Sequence, residues 1–228
     1  MKTPEILLTE DQRKELTQIP AHISDWEISR YYTLSAFDLE IIHQNRRDYN
    51  RMGFALQLCC LRYPGWTFTD IGAVPDTVLS YIARQLRITN IDGLYQYGDR
   101  EATRVNHLKR IRDLYGFRFF NDLDDTSLQD YLMPFAMEND HILRLVKLSI
   151  ERLREQKIIL PGITRIERMV SMVSQAAEDK IYQIINDCLT AKQKRQLDAL
   201  INSLDEAQIT KLAYLKKKIR EKARQRRF

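Results

Sequence analysis

The chain has 228 residues, of which 44% are apolar and 29% are charged, and its formal net charge is +5. This composition is typical of a folded globular protein and excludes a disordered or fibrous one. The seven glycines and six prolines are few for this length, which favours long elements joined by few turns. No apolar run approaches the roughly 18 residues that span a bilayer, and the start lacks the apolar core of a secretory signal. We therefore expect a cytoplasmic protein with no membrane partner.

Helix-start signals recur from the beginning of the chain to its end. A Ser, Thr or Asp followed three or four positions later by an acidic or amide side chain can satisfy the N–H groups of a first helical turn. Between these signals the apolar residues recur every three or four positions, which indicates helix rather than strand. The signals are Thr9 with Gln12, Ser24 with Glu27, Ser35 with Asp38, Asp125 with Gln129, Thr164 with Glu167, Thr190 with Gln193, and Asp205 with Gln208. We predict an all-α, multi-helix fold.

The first cluster of basic and amide side chains runs from Asn45 to Arg51, just before the apolar segment Phe54 to Leu61. The apolar density of that segment predicts a buried helix, which would anchor the cluster. The arginines can either bind a ligand or pair with Asp38, Glu40 or Asp48, and the sequence leaves both alternatives open. The candidate nucleic-acid contacts in this cluster are Arg46, Arg47, Asn50 and Arg51.

Two further predicted helices carry basic side chains on one face. The first covers Val78 to Ile88, and the second covers Arg100 to Tyr115. The packed stripe of the second consists of Val105, Leu108, Ile111 or Arg112, and Tyr115. The turn from Asn90 to Gly93 between them gives a loose helix-turn-helix layout, in which one helix enters the major groove of DNA. A solvated amphipathic helix would show the same spacing. The outward-facing candidates for DNA contact are Arg84, Gln85, Arg87, Arg100, Arg104, His107, Lys109 and Arg110.

The acidic stretch from Asn121 to Asp125 is the best candidate for a domain junction. It divides the chain into two predicted helical DNA-binding modules, residues 1–121 and residues 122–228. In the second module a helix begins near Thr164, and its N–H groups and positive dipole end would suit a phosphate, although a capped core helix explains the same residues. The candidate contacts there are Thr164, Arg165 and Arg168.

The end of the chain is strongly basic, with nine Lys or Arg and one acidic residue between Lys211 and Phe228. Apolar residues keep helical spacing into this tail as far as Ile219, so we predict that the second module ends in a basic helix. Such a tail can bind nucleic acid or remain solvated, and the sequence does not choose between the two.

The sequence contains no recognisable catalytic motif. It lacks the G-x-x-x-x-G-K-[ST], G-x-G-x-x-G and H-E-x-x-H patterns, and its four histidines are too scattered to share adjacent turns of one helix. Its three cysteines show no C-x-x-C spacing, and we interpret them as core residues. We assign no catalytic residue, no cofactor and no metal ligand.

Long segments of the chain resemble one known family in the same order. They are Leu8 to Arg13, Tyr31 to Ser35, Asn50 to Gly65, Tyr81 to Leu86, Thr103-Arg104 with His107-Leu108, Leu160 to Thr164, and Ile166 to Arg168. Together they are similar to the amino-terminal region of transposases of the Tn-three family, the class II replicative bacterial transposons. In that family an RNase H-like domain with an Asp-Asp-Glu triad and two divalent metals lies well beyond the matched region. The resemblance therefore implies that this chain is not itself an enzyme.

The resemblance also implies a partner. The amino-terminal part of such a transposase is expected to bind the terminal inverted repeats of the transposon sequence-specifically. The expected partner is therefore double-stranded DNA, and the expected location is the bacterial nucleoid. The alternative is a helical protein-interaction or dimerisation module, bound to another protein or to a second transposase copy and having only non-specific affinity for DNA.

Overall fold

The computed structural model describes residues 7–68, 71–138 and 141–201, together with Thr210, Ala213 and Lys216. These residues are mostly helical, which confirms the all-α prediction. Within them no helix is both long enough and apolar enough to cross a membrane. Most of the basic tail, and the helix start predicted at Asp205 with Gln208, lie outside the described residues.

The helices and strands follow one another along the whole described chain. A single turn of 3₁₀ helix covers Ile71–Ala73, and another covers Asp92–Leu94. The helices are α1 (Glu10–Thr17), α2 (Asp25–Tyr32), α3 (Ala36–His43), α4 (Asp48–Arg62), α5 (Asp76–Leu86), α6 (Tyr95–Gly98), α7 (Glu101–Tyr115), α8 (Asp122–Glu138), α9 (Ile142–Glu155), α10 (Ile163–Cys188) and α11 (Ala191–Ile201), and the two short strands are β1 (Arg118–Phe119) and β2 (Ile158–Ile159).

Four of the predicted helix starts are confirmed. Thr9, Ser24 and Ser35 each form a complete capping box with the side chain three residues later. Before α11, the Thr190 Oγ1 accepts from the backbone N–H of Gln193, and the Gln193 side chain accepts from the Thr190 N–H. These signals are local, because cap and partner belong to the same helical turn, so the sequence alone is sufficient to find them.

Two predicted helix starts are wrong. α8 begins at Asp122 rather than after Asp125, because the Asn121 side chain accepts from the N–H groups of Leu123 and Asp124. α10 begins at Ile163, and the carbonyl of Gly162 accepts the first N–H groups, so that Thr164 lies inside the helix. The partner predicted for Thr164, Glu167, is buried and binds Arg13 instead at 2.9 Å.

The core is organised around α4, whose residues from Met52 to Leu61 are all buried. A helix that is apolar on all sides must be surrounded by other elements, and α2, α3, α5, α6 and α7 pack against it. One close approach is at Gly53, where an added Cβ would lie 2.4 Å from the ring of Tyr97. Glycine at this position lets the segment that leads into α7 lie directly on α4.

Residues on both sides of position 121 contribute to the same core. β1 pairs in parallel with β2, so that Phe119 lies opposite Ile159, and Ile159 packs into the core that surrounds α4. The backbone N–H of Leu160 donates to the carbonyl of Gly65 at 3.1 Å. The indole N–H of Trp66 donates to the carbonyl of Pro161 at 3.2 Å. The stretch at 121–125 thus starts a capped helix, while strand pairing and hydrogen bonds join the segments before and after it.

Contacts divide the chain into two compact units, residues 1–175 and residues 176–228. The predicted functional modules 1–121 and 122–228 stay a prediction, and their boundary differs from this one. In the second unit Cys188 is exposed, whereas Cys59 and Cys60 are buried on α4. The interpretation of all three cysteines as core residues is therefore wrong for Cys188.

Candidate nucleic-acid interface

The exposed face of α5 is polar and carries two arginines. Val78, Leu79, Ile82, Ala83 and Leu86 point into the core, and this inward stripe leaves Arg84 and Arg87 exposed, as expected. The Arg84 guanidinium lies 5.6 Å from the centre of the Tyr81 ring. Arg87 ends the helix in the left-handed conformation, with φ of 57°. Neither arginine forms an ion pair with a described residue.

Gln85, the third outward-facing candidate on α5, is a structural residue. Its side-chain amide N–H groups donate to the carbonyls of Tyr32 at 3.0 Å and Tyr81 at 3.3 Å. Its side-chain oxygen accepts from the N–H of Leu34 at 2.8 Å. Gln85 therefore satisfies the backbone at the end of α2 and has no amide group left to read a base.

α7 packs with most of its predicted stripe. Ile111 is buried, and Leu108 and Tyr115 are partly buried against the core. Val105 was expected in the same stripe, but 57% of its surface is exposed, and Asn106 and Lys109 are exposed beside it. The prediction is wrong for Val105, because His107 takes the buried position in that part of the helix.

His107 was expected to face outward and is buried instead. Its Nδ1 lies 3.1 Å from the hydroxyl of the buried Tyr97, and its ring meets the ring of Phe54 edge to face. Burial, helped by the nearby positive charge of Arg110, lowers the pKa of His107 to about 4. A neutral, enclosed imidazole contributes to packing, so His107 is removed from the candidate DNA contacts.

Two arginines of α7 are half-buried. The backbone carbonyl of Arg104 accepts from the side chain of Gln57 on α4 at 3.1 Å, which fixes this turn of α7 against the core. The Arg110 guanidinium donates to the Gln44 side chain and lies over the ring of Phe54. Both remain candidates, but each has a structural contact as well.

The predicted helix-turn-helix is not shown. The residues between α5 and α7 include a 3₁₀ turn and the short helix α6. Both helices pack on α4, whereas the two helices of a helix-turn-helix are joined by a turn of roughly three to four residues. The candidate residues of α5 and α7 are therefore positioned by packing on the central helix α4 and not by a helix-turn-helix.

The cluster at the start of α4 divides between the two alternatives left open by the sequence. Arg51 pairs with Asp48 at 3.1 Å and donates to the Asn45 carbonyl, which is the intramolecular network. The Asn50 side chain donates to the Arg46 carbonyl. Arg47, by contrast, is exposed and directs its guanidinium to the hydroxyl of Tyr49 at 2.7 Å.

At the start of α10 the structure gives Arg165 carboxylate partners. Its guanidinium pairs with Asp122 at 3.2 Å and with Asp125, so that it joins α10 to the acidic start of α8. These carboxylates raise the pKa of the Arg165 side chain further, the hydrogen bond to Asp125 contributing most. Thr164 and Arg168 are exposed beside it.

The predicted residues therefore fall into two groups. One group is engaged in structural contacts, and it includes Arg51, Gln85, His107 and Arg165. The other group is exposed and makes no ion pair with any residue in the described part of the chain. Its members are Arg46, Arg47, Arg84, Arg87, Arg100, Lys109 and Arg168. Tyr49, Val105 and Asn106 also lie at these surfaces and were not among the predicted contacts.

Other arginines form ion pairs with buried carboxylates and hold elements together. Arg62 of α4 contacts Asp38 of α3 through two hydrogen bonds of 2.9 and 2.8 Å. Arg118 of β1 does the same with Asp124 of α8. Among the described residues, no three His, Cys, Asp or Glu side chains come together as metal ligands would.

Comparison with known proteins gives a match over most of the chain. A family model described as "Domain of unknown function (DUF4158)" matches residues 7–173. The transposase for transposon Tn1546 of Enterococcus faecium is 41% identical over 212 residues, which are 92% of this chain and 21% of that protein.

Further relatives carry similar descriptions. The transposase for transposon Tn3926 of Escherichia coli is 34% identical over 92% of this chain and 21% of that protein. The transposase for transposon gamma-delta of Escherichia coli strain K12 is 29% identical over 94% of this chain and 22% of its own length. The chain thus spans about a fifth of the length of the relatives it matches. The resemblance to the amino-terminal region of Tn-three family transposases is confirmed, and the chain belongs to the DUF4158 family.

Proposed function

We propose that this chain binds the terminal inverted repeats of a transposon sequence-specifically, as a non-catalytic part of a transposase. One observation carries the proposal. Arg62 and Arg165 pair with carboxylates of other elements. The exposed candidates Arg84 and Arg87 on α5, Lys109 on α7, and Arg46 and Arg47 before α4 form no ion pair with a described residue. The similarity to transposases supports the same proposal, because moving a transposon requires recognition of its ends.

The chemistry of these faces suits a duplex. Arg84 and Arg87 can each offer a forked pair of N–H groups to guanine, and Asn106 offers the donor and acceptor that match adenine. Val105 beside Asn106 is an apolar group of the size that contacts a thymine methyl. Lys109 offers a compact charge to a phosphate. We assign base reading to these α5 and α7 faces and bond breaking to parts of the relatives outside the matched fifth.

Selection from a random duplex pool tests the specificity. The full chain should enrich one sequence, which we expect to resemble a transposon terminal inverted repeat. Fluorescence anisotropy should then show at least tenfold tighter binding of the enriched duplex than of a scrambled one. Equal affinity for both duplexes would remove the proposal of sequence-specific binding.

Paired variants locate the surface. Lys109→Ala should weaken binding of the enriched and the scrambled duplex alike and lower the slope of log K against log salt by about 0.9 for the phosphate that it no longer neutralises. Arg84→Ala should weaken binding of the enriched duplex more than that of the scrambled one, because it removes a base contact. Arg152→Ala is the control, because it removes the same charge from an arginine that already pairs with Glu155. If all three variants weaken binding equally, the effect comes from net charge and not from α5 and α7.

Exposed apolar side chains favour the second candidate, a protein-interaction module. Leu123 is 81% exposed and Phe119 is 49% exposed. Sedimentation velocity of the full chain with and without duplex separates the two functions. Concentration-dependent self-association together with binding of every duplex at equal affinity would establish the interaction module in place of the specific DNA-binding function.

A further inference from the structure

The ring of Tyr49 carries two guanidinium groups that come from distant parts of the sequence. The Arg47 guanidinium carbon lies 5.8 Å from the ring centre, and the Arg100 guanidinium carbon lies 5.5 Å from the same centre. Arg47 also donates to the Tyr49 hydroxyl at 2.7 Å. A single aromatic ring attracts a cation by roughly 0.5–1 kcal/mol at an exposed site. One ring therefore compensates only part of the cost of bringing two like charges together.

Carboxylates do not supply the missing compensation. Asp48, the acidic residue next to the cluster, pairs with Arg51 at 3.1 Å. Asp99 and Glu101 flank Arg100 in the sequence, but neither forms an ion pair with it in the structure as described. Both guanidiniums are exposed. Arg47 and Arg100 thus place two exposed positive charges beside one ring, without an ion-pair partner among the described residues. Such a surface can bind an anion.

The main chain of both arginines is fixed by hydrogen bonds. The Arg47 carbonyl accepts from the N–H groups of Asn50 and Arg51, each at 3.2 Å. The Arg100 carbonyl accepts from the N–H of Arg104 at 3.1 Å, which begins α7. α4 and α7 pack on each other, so the two side chains start from a fixed pair of backbone positions.

The backbone of Arg47 gives an independent indication. Its φ of 66° lies in the left-handed region that favours glycine, and an arginine occupies it. Such a conformation costs of the order of 1 kcal/mol or more and persists where the surroundings enforce it, often at binding sites.

We infer that Arg47, Tyr49 and Arg100 form a clamp for one backbone phosphate of the bound duplex, with Tyr49 holding the two guanidiniums in position. The inference rests on the proposed function and assigns these residues to positioning. Arg100 directly precedes α7, so the clamp fixes where the exposed α7 residues Asn106 and Lys109 fall along the groove. Phosphate contacts set register in this way, while base contacts specify sequence.

The clamp makes a prediction that base-reading residues do not share. Arg47→Ala and Arg100→Ala should each weaken binding of the enriched and the scrambled duplex by the same factor, of about three- to tenfold. Each should also lower the salt slope by about 0.9. Tyr49→Phe should have a smaller effect, because the ring remains and only the hydrogen bond from Arg47 to the hydroxyl is removed. Arg152→Ala, an arginine over the ring of Tyr131 that is paired with Glu155, is the matched control and should change neither quantity.

Single methylphosphonate substitutions along the enriched duplex locate the phosphate. At one position the neutral linkage should weaken binding of the unmodified chain about three- to tenfold. The same linkage should have a smaller effect on Arg47→Ala or Arg100→Ala, each of which keeps one guanidinium, and no effect on the double variant. Circular dichroism confirms that the variants stay folded.

The outcomes separate the two proposals. If the unmodified chain binds the enriched duplex with a steep salt dependence while Arg47→Ala and Arg100→Ala match it at every methylphosphonate position, the clamp is overturned and the DNA-binding function stands. If the unmodified chain binds no duplex, the proposed function fails, and the clamp fails with it.

Discussion

Gly53 lies in the interior of α4, where glycine normally weakens a helix by roughly 0.5–1 kcal/mol relative to alanine. At position 53 alanine should instead be less stable than glycine, because an added Cβ would lie 2.4 Å from the ring of Tyr97, which is fully buried. We expect Gly53→Ala to lower the free energy of unfolding by about 1–3 kcal/mol in urea titrations. Gly93→Ala is the control, since its added Cβ would lie 3.7 Å from the nearest atom of Tyr49, which is ordinary van der Waals contact, and the change should stay within about 0.5 kcal/mol. Equal effects at both positions would contradict the tight approach of Tyr97.

The buried imidazole of His107 predicts a pH dependence of stability. Burial lowers its pKa in the folded chain to about 4 from the ordinary 6.5, so the unfolded chain takes up the proton first as the pH falls. Stability from this residue is therefore complete above pH 6.5 and is lost as the pH falls towards 4. Because His107 keeps some contact with solvent, we expect its full contribution to the free energy of unfolding to be roughly 2 kcal/mol. Urea titrations at pH 7, 5.5 and 4.5 should show a smaller decline for His107→Gln than for the unmodified chain, and parallel declines would refute the assignment.

At the scale of single residues, exposure could be predicted for α5 and in part for α7. The apolar residues of α5 form one regular stripe, and Arg84 and Arg87 lie opposite it. In α7 Leu108 and Ile111 pack inward as predicted, but the polar His107 is buried against Tyr97 while the apolar Val105 is exposed. Gln85 shows a second limit, because its partners on α2 are about fifty positions away in the sequence and no local pattern signals them.

Among the contacts between elements, the pair Asp38 and Arg62 joins α3 to α4. Burial alone would raise the pKa of Asp38, but hydrogen bonds from Arg62 and Ser35 outweigh it and hold that pKa below its usual value. Removing the carboxylate charge would leave a mostly buried guanidinium without its partner, which is costly.

We therefore expect Asp38→Asn to lower the free energy of unfolding by about 2 kcal/mol, less than for a fully buried pair because Arg62 keeps some contact with water. Glu15→Gln is the matched control. It also breaks an ion pair between two helices, with Lys147, but both side chains are exposed, so the loss should be below about 0.5 kcal/mol. Urea titrations of both variants measure the difference. A loss at Asp38 no larger than that at Glu15 would show that α3 and α4 are held by apolar packing alone.

Helix starts that form a complete capping box were predictable. The start of α8, which the Asn121 side chain caps, and the start of α10, whose expected partner Glu167 binds elsewhere, were not. Ser24 and Ser35 find their partners three residues away. Glu167 looked like such a partner for Thr164, but Arg13, 154 positions away, binds it. The same reason explains Arg165, whose carboxylates on α8 are about forty positions distant.

For the whole molecule, the family match over 7–173 nearly coincides with the compact unit 1–175. A shortened chain of residues 1–188 keeps α10 complete. We expect it to unfold cooperatively with the same free energy as the full chain, within about 0.5 kcal/mol, and to bind the same duplex. Circular dichroism in urea measures the stability, and anisotropy measures the binding. A broad, non-cooperative transition would show that residues 189–228 are needed for the fold.

The hydrogen bond from Trp66 to Pro161 spans 95 positions of sequence, and the neighbouring Ile159 fills part of the core around α4. On a ribosome, the first five helices emerge well before that strand is made. Their apolar faces must wait for roughly seventy further residues before the core closes. Nascent chains stalled before Ile159 has left the ribosome should therefore bind chaperones, and chains stalled after it has emerged should not.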